Sequence, residues 1–215
     1  MAAQGAAARF AGVPLLENDP NSRQDTLRLA SLDTDRFLVQ SPYTEQEHLL
    51  DLETLDHETA LFSKALRLLR PIRDDYATAT YSNSFNWGEV LDEAKRLCRE
   101  SGEAFGEKSF YIVAFRSQVK PSADSAYLGD LDKAAHAEAV ASGGFLRYWF
   151  GKPDSHGRNL ATCIWRSRGD ALAGARGPAH RKAGMAGREM YAFWKIDQHR
   201  LVIRENVDDW KITPM

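Results

Sequence analysis

Between residues 108 and 205 the chain alternates short apolar runs with helix-spaced segments, and that alternation sets the expected fold. In SFYIVAFRSQV, an extended chain places Phe110, Ile112 and Ala114 on one side and Tyr111, Val113 and Phe115 on the other. DLDKAAHAEAVAS carries helical spacing. FLRYWFG and NLATCIWRS read as two more strands, with the HG and GR steps of PDSHGRN marking the turn between them. The Ala/Gly-rich DALAGARGPAHRKAG supplies a second helix before a closing pair of strands, MYAFWKI and HRLVIRE. The predicted order is β-α-β-β-α-β(β), the split unit of a ferredoxin-like α+β fold.

Upstream the pattern is helical. EQEHLLDLETLDHETALFSKALRLLRPI spaces Leu55, Phe62, Leu66 and Leu69 along one face until Pro71 stops it. Asn86-Trp87-Gly88-Glu89 reads as an N-cap with an acid at the third helical position. Val90, Leu91, Ala94, Leu97 and Cys98 then form an apolar face ended by Gly102. RFLVQSPY is a candidate short strand, and ENVDDWKITPM an extended or irregular tail anchored by Trp210. Residues 1–26 mix Ala, Gly, Pro, Asn and Ser and read as a disordered tail. Residues 27–215 read as one α+β domain, with a helical extension over 44–102 and the core over 108–205.

The apolar residues on both sides of these strands demand two covers. Helices supply one. A partner's sheet is the expected second, giving a homodimer, with the N-terminal helices of the same chain as the alternative cover.

Composition narrows the function classes. With 215 residues, 28 basic against 30 acidic side chains and a net charge of −2, the chain offers no electrostatic footprint for nucleic acid or an anionic membrane. No apolar run reaches the ~18 residues of a transmembrane helix, and the Ala-rich start lacks the charged region of a secretory signal. Two cysteines, Cys98 and Cys163, fit a reducing, cytoplasmic setting better than a disulfide framework.

The blocks FYIVAFRS, LGDLDKAAHAEAVASGGFLRYWFG, GRNLATCIWRS, GPAHRKA, YAFWKI and HRLVIRENV resemble an uncharacterised protein family of filamentous fungi. Its members look like the dimeric α+β barrel superfamily, and the resemblance spans about residues 84–212. It implies the fold and an intracellular, specialised-metabolism setting. It implies no single reaction, because that superfamily includes cofactor-free monooxygenases, cyclases, decarboxylases, haem enzymes and plain ligand binders.

Among candidate chemical groups, Asp132 and His136 lie four apart on the first core helix and share a face. A carboxylate so placed can orient an imidazole and raise its basicity, as a general base requires. Ala134, Ala135, Ala137 and Ala139 around the pair leave room for a ligand. The alternative is a surface pair in which Asp132 only favours the helix dipole. The aromatic strands, Tyr111, Trp149 and Trp165 among them, make an apolar pocket against these small residues plausible. Arg116, Arg147 and Arg166 lie at polar steps of three strands, and one of them, Arg116 first, is a candidate for an acidic group on the ligand, with pairing to Asp or Glu at the sheet edge as the alternative. His180, after Gly177-Pro178, is a candidate for a further contact. His48 and His57 sit among acids with no metal-binding spacing and read as solvated helix faces. Cys163 reads as a buried thiol.

The expected function is a small-molecule enzyme acting by proton transfer (isomerase, cyclase or cofactor-free oxygenase) on an apolar or aromatic metabolite, without metal or cofactor. A non-catalytic ligand binder or structural protein is the rival. A haem protein, with His180 as axial ligand, is the cofactor-bearing variant that the resemblance admits.

Overall fold

The computed structural model describes residues 33–215, so the tail expected over 1–26 lies outside the described residues. The centre is an antiparallel sheet built around β3 (Lys108–Val119), which pairs with β5 (Arg158–Trp165) on one side and β6 (Tyr191–Ile203) on the other. β4 (Phe145–Phe150) flanks β5, β7 (Trp210–Pro214) flanks β6, and the strand order is β4-β5-β3-β6-β7. β3 and β4 are joined by α3 (Ser125–Ser142), while α4 (Arg168–Gly174) and α5 (Pro178–Met190) join β5 to β6. With β7 set aside, this is the ferredoxin-like α+β arrangement that the pattern predicted.

Local chemistry explains most boundaries. Asp124 caps α3 by accepting from the Tyr127 N–H, six residues before the stretch whose spacing first suggested the helix. Gly177-Pro178 splits the Ala/Gly-rich segment into two helices, with Pro178 at the first turn of α5, where its missing N–H costs nothing. Gly157 turns the β4–β5 hairpin at φ +74°, where a Cβ would meet the Val119 carbonyl oxygen at 2.8 Å. MYAFWKI and HRLVIRE are not two strands but one continuous strand, β6, and the expected tail is a true fifth strand, β7.

Upstream, the segment expected to be one helix is broken. β1 (Phe37–Leu38) and β2 (Leu50–Asp51) form a small ribbon, followed by a 3-10 turn at Leu52–Thr54 and α1 (His57–Ala65). The breaks fall at aspartates whose side chains bind nearby backbone: Asp51 accepts from Glu53 N and Asp56 from Thr59 N. A 3-10 turn at Leu66–Leu68 follows α1, and α2 (Trp87–Ser101) ends at Gly102 with φ +70°. Asn86 stands at the N-cap of α2, but its side chain spans to the preceding segment, accepting from Arg70 N and donating to Leu68 O and Glu89 Oε2.

These helices decide what covers the sheet. Phe110, Ile112 and Ala114 pack with Leu146, Leu160, Ile164, Leu201 and Ile203 against Phe62, Leu66, Val90, Leu91 and Ala94 of α1, α2 and the turn between. Tyr111 faces the other way, with Phe145, Tyr148, Trp165 and Ala139 beneath α3. The face for which a partner's sheet was expected is therefore covered from within the chain.

The Phe62 ring is fully buried 4.3 Å from that of Phe110 and joins the helical cover to the central strand. Phe62→Ala is expected to cost about 3–5 kcal/mol, read as a lower urea midpoint; a loss under 1 kcal/mol would mean that the cover is not integral.

Candidate functional site

Where α3 meets the sheet, five polar side chains converge in an otherwise aromatic interior. Asp132 accepts two short hydrogen bonds, from Tyr43 Oη to Oδ2 and from Tyr148 Oη to Oδ1, each 2.6 Å. One turn further along α3, His136 Nδ1 lies 2.8 Å from His48 Nδ1, so one ring donates and the other accepts. The rings pack together: Tyr43 is 4.9 Å from His48 and 5.1 Å from His136, with Phe145 5.2 Å and Tyr148 5.4 Å from His136. Tyr43 and His48 come from the segment around the 3-10 turn Gln46–His48, Asp132 and His136 from α3, and Tyr148 from β4.

Burial governs the electrostatics. His48 is 1% and His136 4% exposed. Desolvation holds His136 down at about 3, with His48 and His180 adding to the shift, and it lowers His48 as well. Both rings are neutral at pH 7. Desolvation raises the Asp132 carboxyl even though the two phenol hydrogen bonds oppose it. Tyr43 and Tyr148 are held as phenols by burial and by the neighbouring carboxylate charge. His136 Nε2 is sealed from water with no hydrogen-bond partner.

The predicted residues divide between places. Asp132 and His136 are at the site, yet the expected bond between them is absent: the carboxylate is taken by two phenols and the imidazole by His48. Tyr111 and Trp165 belong to the same apolar cluster. Trp149 lies on the opposite sheet face, edge-on to Tyr76 and Phe85. Arg116 is spent on structure. Its Nε donates to Asp197 at 2.9 Å, Nη1 to the carbonyls of Tyr76 and Ala77, and Nη2 to that of Ala79, which ties down the loop before α2. His180 has Nδ1 3.3 Å from Glu138 Oε1, and Glu138 also accepts from Ala179 N and His180 N. That histidine pairs with the carboxylate that caps the start of α5.

His48 is a correction: it is among the most buried polar residues rather than on a solvated face. Tyr43 and His48 meet α3 across 89 and 88 residues of sequence, and no local spacing announces such a contact. The small residues of α3 do not open a pocket beside His136, because Tyr43, His48, Phe145 and Tyr148 fill that space. Surface depressions lie elsewhere, one of about 480 Å³ near Lys95, Arg99 and Asp208 and one of about 140 Å³ near Tyr111, Arg200 and Met215. Cys163, expected as a buried thiol, is only partly buried, with its thiol pushed up by desolvation and by the Asp132 charge. Among the described residues no group of three or more His, Cys, Asp or Glu is placed to hold a metal ion, and no helix is long and apolar enough to cross a membrane.

Fold and site together define a ferredoxin-like α+β protein with a buried tyrosine–carboxylate and imidazole cluster. The chain belongs to the PB2B2.08-like family, which it matches over residues 39–214. It is 37% identical over 201 residues to UPF0643 protein PB2B2.08 of Schizosaccharomyces pombe, covering 88% of this chain and 91% of that protein. Among solved structures it is similar to an antibiotic biosynthesis monooxygenase-like protein from Nitrosomonas europaea (15% identity, TM-score 0.37, 41% of this chain and 86% of that one). It is also similar to SnoaB, a cofactor-independent oxygenase from Streptomyces nogalater (13%, 0.37, 41% and 89%). A third similar structure is Rv0793 from Mycobacterium tuberculosis (20%, 0.37, 43% and 92%).

The depressed imidazole makes a signed prediction. Because His136 is held near 3 when folded, the unfolded chain binds the extra proton below its ordinary value of ~6.5. Its contribution to stability is therefore complete above that value and is lost as the pH falls. His136→Gln should flatten the fall, so that between pH 6 and 5 the wild type loses about 1 kcal/mol more than the variant. Urea unfolding at both pH values checks this, and the Asp132 contribution, common to both proteins, cancels to first order. Parallel losses would show that His136 is not held neutral.

Proposed function

We propose that this protein is an enzyme that moves a proton on a small apolar or aromatic molecule, with the Asp132 carboxyl as the group that takes and returns it. One observation carries the reading. Asp132 has both oxygens oriented by phenols and its affinity for a proton raised by burial, which brings a carboxyl closer to the range useful for general acid–base work. The same sheet face carries Val113, Ala161 and Cys163 only partly buried against the aromatic cluster. Tyr191 lies near enough for the Asp132 charge to help push its phenol up to about 12, after burial itself. An apolar substrate would lie on this face with an acidic C–H toward Asp132. His136, enclosed by Tyr43, His48, Phe145 and Tyr148, would brace the site without touching the substrate, and Tyr111 and Trp165 would support the aromatic wall from below.

Isomerisation, cyclisation and cofactor-free oxygenation can each begin with removal of such a proton, and none requires a metal or a bound cofactor for that step. Two unpaired cysteines suit a reducing compartment such as the cytoplasm.

The near-complete sealing of His48 and His136 favours a second reading, in which the cluster is structural and the protein binds a ligand without changing it.

Exchange chemistry separates the two. The full chain, incubated in D₂O with a panel of aryl ketones and β-diketones, is expected to accelerate loss of their acidic C–H signals in proton NMR. Asp132→Asn should reduce that rate by about 10²–10⁴-fold with the thermal midpoint little changed. Saturation-transfer signals from bound ketones without exchange would select the ligand binder. Exchange undiminished in Asp132→Asn would remove the carboxyl from its role.

A further inference from the structure

Away from that cluster, Arg147 on β4 is a buried guanidinium that the fold leaves unpaired. The residue is 8% exposed, and its Nε is sealed without a hydrogen-bond partner. The contrast is with Arg116, also on a sheet strand, whose three guanidinium nitrogens are all engaged.

The surroundings are built rather than accidental. Residues 39 and 40 run along the outer edge of β4, with Tyr148 N donating to Gln40 O at 2.9 Å. The 3-10 turn Leu66–Leu68 packs against the same strand. Asp33 is the acid whose charge reaches Arg147, but it is already in a direct ion pair with Arg67 and accepts from Val39 N at 2.9 Å. Two guanidiniums thus share one carboxylate where water is largely excluded. Burial and the nearby Arg67 charge pull Arg147 down to about 10, which leaves it cationic at neutral pH.

A largely buried cation that makes no hydrogen bond at Nε and shares its one nearby carboxylate with a second cation is unfavourable unless something further neutralises it. We infer that Arg147, with Arg67 beside it, anchors a site for a compact oxyanion, a carboxylate or phosphate group, at the edge of the sheet. The planar guanidinium edge suits such a group because it presents parallel N–H donors to two oxygens, which an ammonium does not. Asp33 sets the affinity by competing for the same two cations.

Calorimetric titration of the full chain with sodium phosphate, and separately with sodium acetate, in a buffer free of other oxyanions tests the site. One anion per chain is expected to bind. Arg147→Met should weaken it at least tenfold, and Arg36→Met, which removes an exposed arginine paired with Asp51, should leave it unchanged. Asp33→Asn should tighten binding severalfold, because it removes the competing carboxylate while keeping an oxygen for Val39 N. Binding of phosphate alone would identify a phosphate group as the ligand, and of acetate alone a carboxylate. No binding of either anion, or equal affinity in the wild type and Arg147→Met, overturns the proposal. Should Arg147→Met fail to fold, an affinity in Asp33→Asn that is unchanged or weaker overturns it as well.

Discussion

Everything in this fold follows from a central strand that is apolar on both faces. β3 cannot leave either side to water, since each exposed Phe, Ile or Tyr would forgo about 1.5–3 kcal/mol of burial. One side is closed by the crossover helix α3, which any βαβ connection supplies. The other is closed by α1, α2 and the turn between them, whose Phe62, Leu66, Val90 and Leu91 meet Phe110 and Ile112. The segment before the sheet is therefore half of the sheet's packing rather than an appendage. The family match, beginning at residue 39, includes it.

That closure also creates the candidate site. The chain reaches the sheet edge by way of Tyr43 and His48, which places a phenol and an imidazole against α3. Burying polar groups requires partners, and the cluster meets the requirement in two pairings: carboxylate with phenols and imidazole with imidazole. Arg116 obeys the same rule on the other side of the sheet, where its donors hold three loop carbonyls. Among the described residues the rule fails at five side-chain atoms: Gln40 Oε1, Trp87 Nε1, His136 Nε2, Arg147 Nε and His199 Nε2. A buried donor or acceptor without a partner costs the full desolvation of that group, and at Arg147, a cation, that cost is largest.

The sequence by itself determined the element order, because strand alternation, helical spacing and the breaks at Gly and Pro are local properties of consecutive residues. It determined that β3 needs covers on both faces, and it placed Asp132 and His136 on one face of α3. It did not determine what each polar group would bond. Residues four apart on a helix can meet, yet Asp132 found stronger donors in two phenols and His136 found His48, all supplied by other segments. Nor could it tell a helix of about 25 residues from turns capped by Asp51 and Asp56, where side-chain and backbone hydrogen bonds compete at nearly equal free energy. Only the tertiary structure decided which segment lay over which face of the sheet. Hydrophobic burial is non-directional, so a partner's sheet and the chain's own helices satisfy the same apolar strand equally well on paper. In the structure Phe62, Leu66, Val90 and Leu91 of the chain's own helical segment fill that face.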